Sequence, residues 1–551
     1  MSDSLAVPEW IAAGKLRWVW ALWEPIELYA RGGYGAGIGD GWATGHWVRD
    51  WYERMHSDEI LDKLAEAGVN LVSTHFYKGF GLQAESAEMD RAADYTARAH
   101  QRGIRVLGYH QFSTVIYETM LDEVPNLEDW VQRGPDGSLR TYGSAAWRWM
   151  ACPSHDGFIA YLKRVMDRCL RQADMDGVEF DGTAYDCHCE ACQQRFRAYL
   201  SERHPDPLER FGIPHFDHVR IPVKWHPRDP VWQEWVRFRI DLMGSRLREM
   251  REHVHETRPG AALVTYEDCP ALWRKQRTRL LPDDSSYLDL AVAESHDMPQ
   301  VLDGHLVTKI RHLKEGTSID CVTLSTDWLR QPAGSINLPD EAKPAELDMA
   351  ECLACGGHVL TATWALRSGS KRDGSAFFEL PLFHEAMKRY MGFARGNENL
   401  YLGSEPCANV WIYHSLWSLA FDHEHAYDSV MGWEQALLGQ TPWRIAKQRH
   451  LGDLGPRDLL IVAGQSCLSD DECSAIAAAV ERGAALILTG NSGEYDEDFC
   501  QRLASPLLAL RDRVNVRHLA ACPGRGSHPE YAEGKTMLPF RPERALEIAG
   551  I

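Results

Sequence analysis

No stretch of about 18 uncharged apolar residues occurs anywhere in the chain, so no membrane-spanning helix is expected. Positive charge is scarce as well. Fifty-nine Lys and Arg face 79 Asp and Glu, leaving a formal charge of −20. That balance disfavours DNA, RNA and anionic membrane surfaces as partners, because phosphate binding needs a cationic face. The opening residues Met1 to Pro8 lack a basic segment leading into an apolar one, so a secretory signal is not expected. Internal repeats and low-complexity tracts are missing too, which excludes a repeat architecture. What remains is ordinary: 44% hydrophobic and 25% charged residues, as in soluble globular proteins, over 551 positions that suit two or three domains. Fourteen cysteines are spread along the chain. Without an export signal they read as thiols and metal ligands, and the compartment reads as cytoplasmic.

From about residue 16 to 401, β-like runs alternate with helical patterns. Leu16 to Leu28, rich in Trp, Val and Ile, reads as a first strand. Ser57 caps a helix with Asp58 and Glu59 in its first turn and one apolar face made by Ile60, Leu61, Leu64 and Ala67. Gly68 ends it. Further strands are expected at Val69 to Tyr77, Ile104 to Phe112, Val178 to Asp181, Ala262 to Tyr266, Leu288 to Ala293, Cys321 to Thr326 and His358 to Trp364. An irregular Pro- and His-rich insertion lies near 204–229. Eight strands in series with helices between them predict a (β/α)8 TIM barrel over residues 1–402, with an open doubly wound sheet as the alternative. From 403 to 551 a smaller three-layer α/β domain is expected. Its strands are Ala408 to Tyr413, Leu459 to Val462 and Ala485 to Thr489, and the last thirty residues form a strap or tail. The turn Gly490-Asn491-Ser492-Gly493 sits where such sheets often bind ligands, although a plain connection is the simpler reading.

Cys187-His188-Cys189-Glu190-Ala191-Cys192 places three thiols within six residues at the start of a helix. Thiolates suit zinc, which prefers four tetrahedral ligands. Cys152 is the best candidate for the fourth ligand, because it leaves the loop after strand three, next door in a barrel, and His188 is the alternative. Four thiolates would leave no open position for water, so the metal's role would be structural.

That cysteine run with the following Gln193 to Leu200 resembles the metal loop and helix of the glycoside hydrolase family 42 β-galactosidases. Ala151-Cys152-Pro153-Ser154 resembles the stretch supplying the fourth zinc cysteine there. The resemblance implies Cys152, Cys187, Cys189 and Cys192 as zinc ligands. The segment from Asp470 to Glu497 is similar to that family's flavodoxin-like trimerisation domain, which implies a homotrimer. The chain departs from the family at strand four. Where family 42 has Asp-Asn-Glu, with Glu as general acid/base, Asp181-Gly182-Thr183 stands here. In this respect the chain looks more like the hypothetical glycosyl hydrolase barrels with a Phe-Asp-Gly motif.

Glycoside cleavage commonly uses two carboxyl groups, which in a barrel belong at the C-terminal ends of strands. Asp181, Glu267, Glu294 and Asp327 meet that condition. Asp181 leads, presented at a strand tip beside Gly182. Glu294 is the preferred partner, since strands four and six share parity. By analogy with clan D and family 31 α-glycosidases, Asp181 is then the nucleophile and Glu294 the acid/base, whereas the family 42 layout puts the nucleophile near Asp327. Expected sugar contacts are Trp23, His75, Tyr77, His110, Tyr266, Asp327, Trp328, Trp364 and Arg367, because aromatic faces stack on sugars and His or Arg bonds hydroxyls. Gly33 to Gly39 has the wrong spacing for a dinucleotide fingerprint and reads as a loop over the active face. Cys467 lacks the glycines of a nucleophile elbow. These features converge on a retaining exo-glycosidase acting on small oligosaccharides or glycosides. The alternative is a catalytically silent carbohydrate-binding barrel or an assembly scaffold.

Overall fold

The structure is a computed structural model and describes residues 6–20, 25–31, 48–183, 185–224, 226–266, 281–295, 300–302, 305–307, 310–327, 343–356, 358–361, 381–437 and 441–512. Eight parallel strands form one sheet: β1 (Arg17–Trp20), β2 (Leu71–Tyr77), β3 (Arg105–Gln111), β4 (Gly177–Asp181), β5 (Ala262–Tyr266), β6 (Leu290–Ser295), β7 (Thr323–Asp327) and β8 (Val359–Thr361). Hydrogen bonding runs unbroken from β7 back through β1 to β8. β7 and β8 lie side by side, which closes the barrel. Helices alternate with the strands, including α1 (Asp58–Ala67), α2 (Ser86–His100), α3 (Asp156–Asp167), α4 (Glu190–Arg203), α5 (Pro230–Thr257), α6 (Ile310–Ser318), α7 (Lys343–Gly356) and α8 (Pro381–Gly396).

Local chemistry explains where these elements start and stop. The Ser57 hydroxyl accepts the Ile60 N–H at the start of α1, and Gly68 closes the helix at φ +90, a conformation open to glycine. Asp229 caps α5, with Pro230 in its first turn. The strands are buried on both faces, as parallel strands are. Their alternation divides the core in two. Val72, Phe76, Val106, Val178 and Phe180 pack against the helices. Trp18, Trp20, Leu107, Tyr109, Val264, Tyr266, Leu290, Val292 and Leu324 fill the barrel's interior. On β4, therefore, Glu179 and Asp181 take the inward positions between Val178 and Phe180.

A second parallel sheet of four strands follows: β9 (Val410–Tyr413), β10 (Trp443–Ala446), β11 (Leu459–Ala463) and β12 (Ala485–Thr489), in the order β10-β9-β11-β12. α9 (His423–Leu437) and α10 (Asp470–Glu481) accompany it, with separate apolar clusters on its two faces. A reciprocal Ser469–Glu472 capping box starts α10. The two sheets meet over a buried polar seam. Lys447 bonds Glu315 at 2.8 Å and Asp283 at 2.9 Å, while His414 lies between Glu315 at 3.2 Å and Glu434 at 3.3 Å.

Several expectations change. Within the run read as the first strand, Arg17–Trp20 is strand and Ile26–Ala30 is a short helix. The smaller sheet gains an edge strand at β10. A three-stranded antiparallel sheet of Thr114–Ile116, Thr141–Tyr142 and Ala145–Met150 stands on the loop after β3, adding to the elements expected from sequence. The 204–229 insertion contains a helical turn, Leu208–Phe211. Gly33 to Gly39 and the last thirty residues lie outside the described residues.

Candidate active site and thiol cluster

Asp181 ends β4 at the C-terminal mouth of the barrel, half-buried. Tyr109 on β3 donates its hydroxyl to Asp181 Oδ2 at 2.5 Å. Lys78, buried just past β2, donates to the same tyrosine oxygen at 3.3 Å and lies 4.6 Å from its ring centre. Lys78, the Tyr109 hydroxyl and Asp181 thus form one hydrogen-bonded chain. Gln111 Nε2 donates to the Asp181 carbonyl at 3.3 Å, and Arg148 holds the Gln111 oxygen at 3.2 Å. Arg148 comes from the antiparallel insertion and lies 4.1 Å from the Tyr142 ring centre. Gly182 adopts φ +78, and a Cβ there would collide with the Gln111 amide. A side chain at this position would be strained and would displace the Gln111 amide.

Three aromatic rings line the inner mouth. Trp20 lies 6.2 Å from Tyr109 and 5.6 Å from Tyr266, and the two tyrosines are 6.4 Å apart. Beneath Asp181, Glu179 is fully buried. Burial pushes its carboxyl up to about 8. The Ser73 and Tyr266 hydroxyls pull it down, and Asp181 pushes it up again.

Of the residues expected to form the site, the structure brings Asp181 and Tyr266 together. His75 takes an inward register position opposite Tyr109, yet it is buried and 3.1 Å from Glu85, a residue that also accepts the Lys78, Gly79 and Phe80 N–H groups. Its visible role is to hold that loop. Tyr77 and His110 face the helical layer. His110 stacks on Phe76 at 5.3 Å, bonds the Gly108 carbonyl at 2.6 Å, and is driven down to about 3 by burial. Tyr77 packs near Tyr161 of α3. A shift in register between His75 and Tyr77 turns the end of β2 over. Glu294 and Asp327 are fixed only in backbone. Glu294 pairs with Thr326 and stands two residues past Val292, in step with the inward positions; Asp327 pairs with Ser295, out of step with them. Their side chains, and Trp23, Glu267, Trp328, Trp364 and Arg367, lie outside the described residues. Lys78, Tyr109, Gln111, Arg148 and Glu179 were not among the residues expected from sequence. Two-residue spacing from Asp181 would have found Glu179.

Beside this mouth the thiols of Cys152, Cys187, Cys189 and Cys192 converge, all within 4.8 Å of one another. The Sγ separations are 3.7 Å for Cys152–Cys189 and 3.4 Å for both Cys152–Cys192 and Cys189–Cys192. A zinc tetrahedron with Zn–S bonds of about 2.3 Å has edges of roughly 3.8 Å, so the donor set fits. The Arg133 and Cys189 N–H groups point at Cys187 Sγ, at 3.3 and 3.4 Å, as donors do toward a thiolate. Cys152 fills the fourth corner. His188 stands apart from the cluster, with its ring near Trp235.

No protein-family model and no curated protein sequence matches the chain. Among solved structures it is similar to the β-galactosidase from Rahnella sp. R3, with TM-score 0.67 and 16% identity over 92% of this chain and 76% of that one. It is similar also to the GH42 exo-carrageenase from Bacteroides ovatus, with TM-score 0.60 and 12% identity over 90% and 68%. A third likeness is to the α-L-fucosidase isoenzyme 2 from Paenibacillus thiaminolyticus, with TM-score 0.55 and 13% identity over 87% and 64%. At these identities the likeness is one of fold. It supports the family 42 resemblance first carried by the cysteine loop.

Proposed function

We propose that the chain is a glycoside hydrolase, a retaining exo-glycosidase acting on small oligosaccharides or glycosides. The observation that carries this reading is Asp181 at the barrel mouth, bonded to Tyr109 and backed by Lys78, with three aromatic rings alongside. A carboxylate so held is suited to attack an anomeric carbon, and ring faces suit the apolar side of a sugar. Glu294 is the acid/base of this reading: it protonates the departing oxygen, then takes a proton from the incoming water. Two carboxyl groups about 5–5.5 Å apart would produce retention. The solved structures of similar fold include a β-galactosidase, an α-L-fucosidase and an exo-carrageenase, and this range agrees with a carbohydrate substrate.

Zinc on the four cysteines completes the reading. With every position taken by sulfur, it would brace the loops after β3 and β4 and leave the chemistry to the carboxylates. A cytoplasmic setting belongs to this reading, and no described helix is long and apolar enough to cross a membrane. A homotrimer is proposed from the family resemblance, to be checked by light scattering.

A panel of α- and β-aryl glycosides tests the function, with D181N and E294Q alongside. Turnover of at least one glycoside, abolished by D181N, is the expected result. Turnover that survives both substitutions overturns the assignment. The second reading, a barrel that binds sugar without cleaving it, rests on Thr183 standing where family 42 has its acid/base. Sugar binding by calorimetry with no turnover on any glycoside would favour it.

A further inference from the structure

Four cysteines outside the thiol cluster come together at the other end of the barrel. Cys321, Cys352, Cys355 and Cys407 line one cavity of about 630 Å³. It lies at the amino ends of β1, β7 and β8, where Lys15, Cys321 and His358 lead into the strands, and β10 of the smaller sheet walls one side. Asp181 stands at the carboxyl ends, on the opposite face. Cys352 and Cys355 are one turn apart on the same face of α7. Cys352 is buried, Cys355 half-buried, and Cys407 exposed on the linker before β9. The cations of the cavity are Lys15, Lys314 of α6 and Arg444 of β10. Lys15 donates to the Gly356 carbonyl at 3.0 Å, Lys314 to the Trp443 carbonyl, and Arg444 lies 4.2 Å from the Trp411 ring centre. None of the three forms an ion pair among the described residues. Of the acids alongside, Asp320 is taken by Arg449 at 3.1 Å and Glu405 is exposed at the rim. Burial holds the Lys314 ammonium below its ordinary value, and the acid group acting most strongly against that is the Cys355 thiol, ahead of Glu434.

We propose that Cys355 is a thiol–disulfide exchange site whose cavity selects a small disulfide bearing carboxylates. Three cations without paired acids favour an anionic visitor, and about 630 Å³ is room for a small molecule. The carbonyl end of α7 disfavours a thiolate at Cys355, and Lys314 supplies the opposing charge. In the step, the Cys355 proton passes to solvent and its sulfur attacks one sulfur of the visiting disulfide. That S–S bond breaks, a new one joins Cys355 to the attacked half, and the other half leaves as a thiolate that takes a proton from solvent. Cys355 is oxidised and the departing half reduced, so the visitor is itself the oxidant. Lys314 adjoins Glu315 of the polar seam on α6, which places the adduct at the junction of the two sheets.

Two reagents of opposite charge test this on the intact chain: oxidised glutathione, an anionic disulfide, and cystamine, a cationic one. Each is incubated with the protein at low ionic strength, and peptide mass spectrometry reads which cysteine carries the adduct and how fast it forms. The first adduct is expected on Cys355, formed on the order of 10-fold faster from oxidised glutathione, with the preference shrinking as salt rises. The net charge of −20 favours cystamine over the molecule as a whole, so the opposite preference at Cys355 reports the charge of the cavity itself. The exposed Cys407 and Cys500 are references in the same sample. Lys314→Gln and Arg444→Gln should each lower the preference, and Cys355→Ser should remove the adduct. An adduct appearing first on another cysteine, none on Cys355, or equal or faster reaction of Cys355 with cystamine would overturn the proposal. The comparison of reagents on the wild type needs no variant, so a substitution that fails to fold leaves the test intact. Turnover plays no part in it, and the glycosidase reading stands or falls separately.

Discussion

The two parallel sheets of this protein end in opposite ways. In the barrel, the carboxyl ends of the strands carry a cluster of polar groups with Asp181 only half-buried: Asp181, Tyr109 and Tyr266, with Lys78 just past β2. In the smaller sheet, the equivalent crevice lies between β9 and β11, where the strand order reverses and ligands often bind. There the space is filled. Gln465 and Ser466 are fully buried, His425 bonds Asn491 at 2.6 Å, and a Cβ on Gly464 would collide with Ser429. The Gly490 to Gly493 turn is thus a plain connection packed onto α9. Sheet topology marks where a site is favoured; side-chain volume decides whether one exists.

The contrast is sharpest in substitutions that remove one polar group from each crevice. Asp181→Asn should lower kcat/KM on the order of 10³-fold or more, about 4 kcal/mol of transition-state stabilisation. Asn491→Ala should change it less than about twofold, since it touches packing alone. Equal losses from both would break the comparison. Next in size is Cys189→Ser. Losing one corner of the thiol tetrahedron should release the metal, seen by elemental analysis, and destabilise the barrel on the order of 3 kcal/mol. An unchanged metal content and Tm would reduce the cluster to packed thiols. Tyr109→Phe deletes a hydrogen bond to a carboxylate and should cost about 1.5–3 kcal/mol in kcat/KM, roughly 10- to 100-fold, with little change in Tm. Smallest is Gly464→Ala, which forces a side chain into φ +60 against Ser429. It should remove about 1–3 kcal/mol of stability and leave kcat alone. A loss of turnover at constant stability would mean that the smaller sheet reaches the reaction.

Much of the barrel was legible because its strands are short apolar runs ended by clear helix signals, such as Ser57 and Gly68. Strand one was over-read because Leu22, Trp23, Ile26 and Leu28 prolong the apolar run, although Ile26–Ala30 is helical. The antiparallel insertion escaped notice because its strands are only two to six residues long and lack clean alternation. The cysteine cluster was legible in sequence through its close spacing, and Cys152 through its place in the loop after strand three, with the family resemblance implying the same residue. The site itself was read less well. Tyr77 and His110 are polar-tipped residues near strand ends, but the irregular register at the end of β2 and the alternation of β3 turn both toward the helices. Tyr109 and Gln111 held the inward places instead. Lys78 and Arg148 come from loop and insertion, where one chain's sequence carries no facing information.

Trapping the covalent intermediate tests the central claim most directly. A 2-deoxy-2-fluoro glycoside of whichever sugar the panel identifies should label the protein once, and fragmentation of the labelled peptide should locate the sugar on Asp181. A label on Glu179, Glu294 or Asp327 would contradict the account, as would steady turnover of that sugar with inversion and no trapped species.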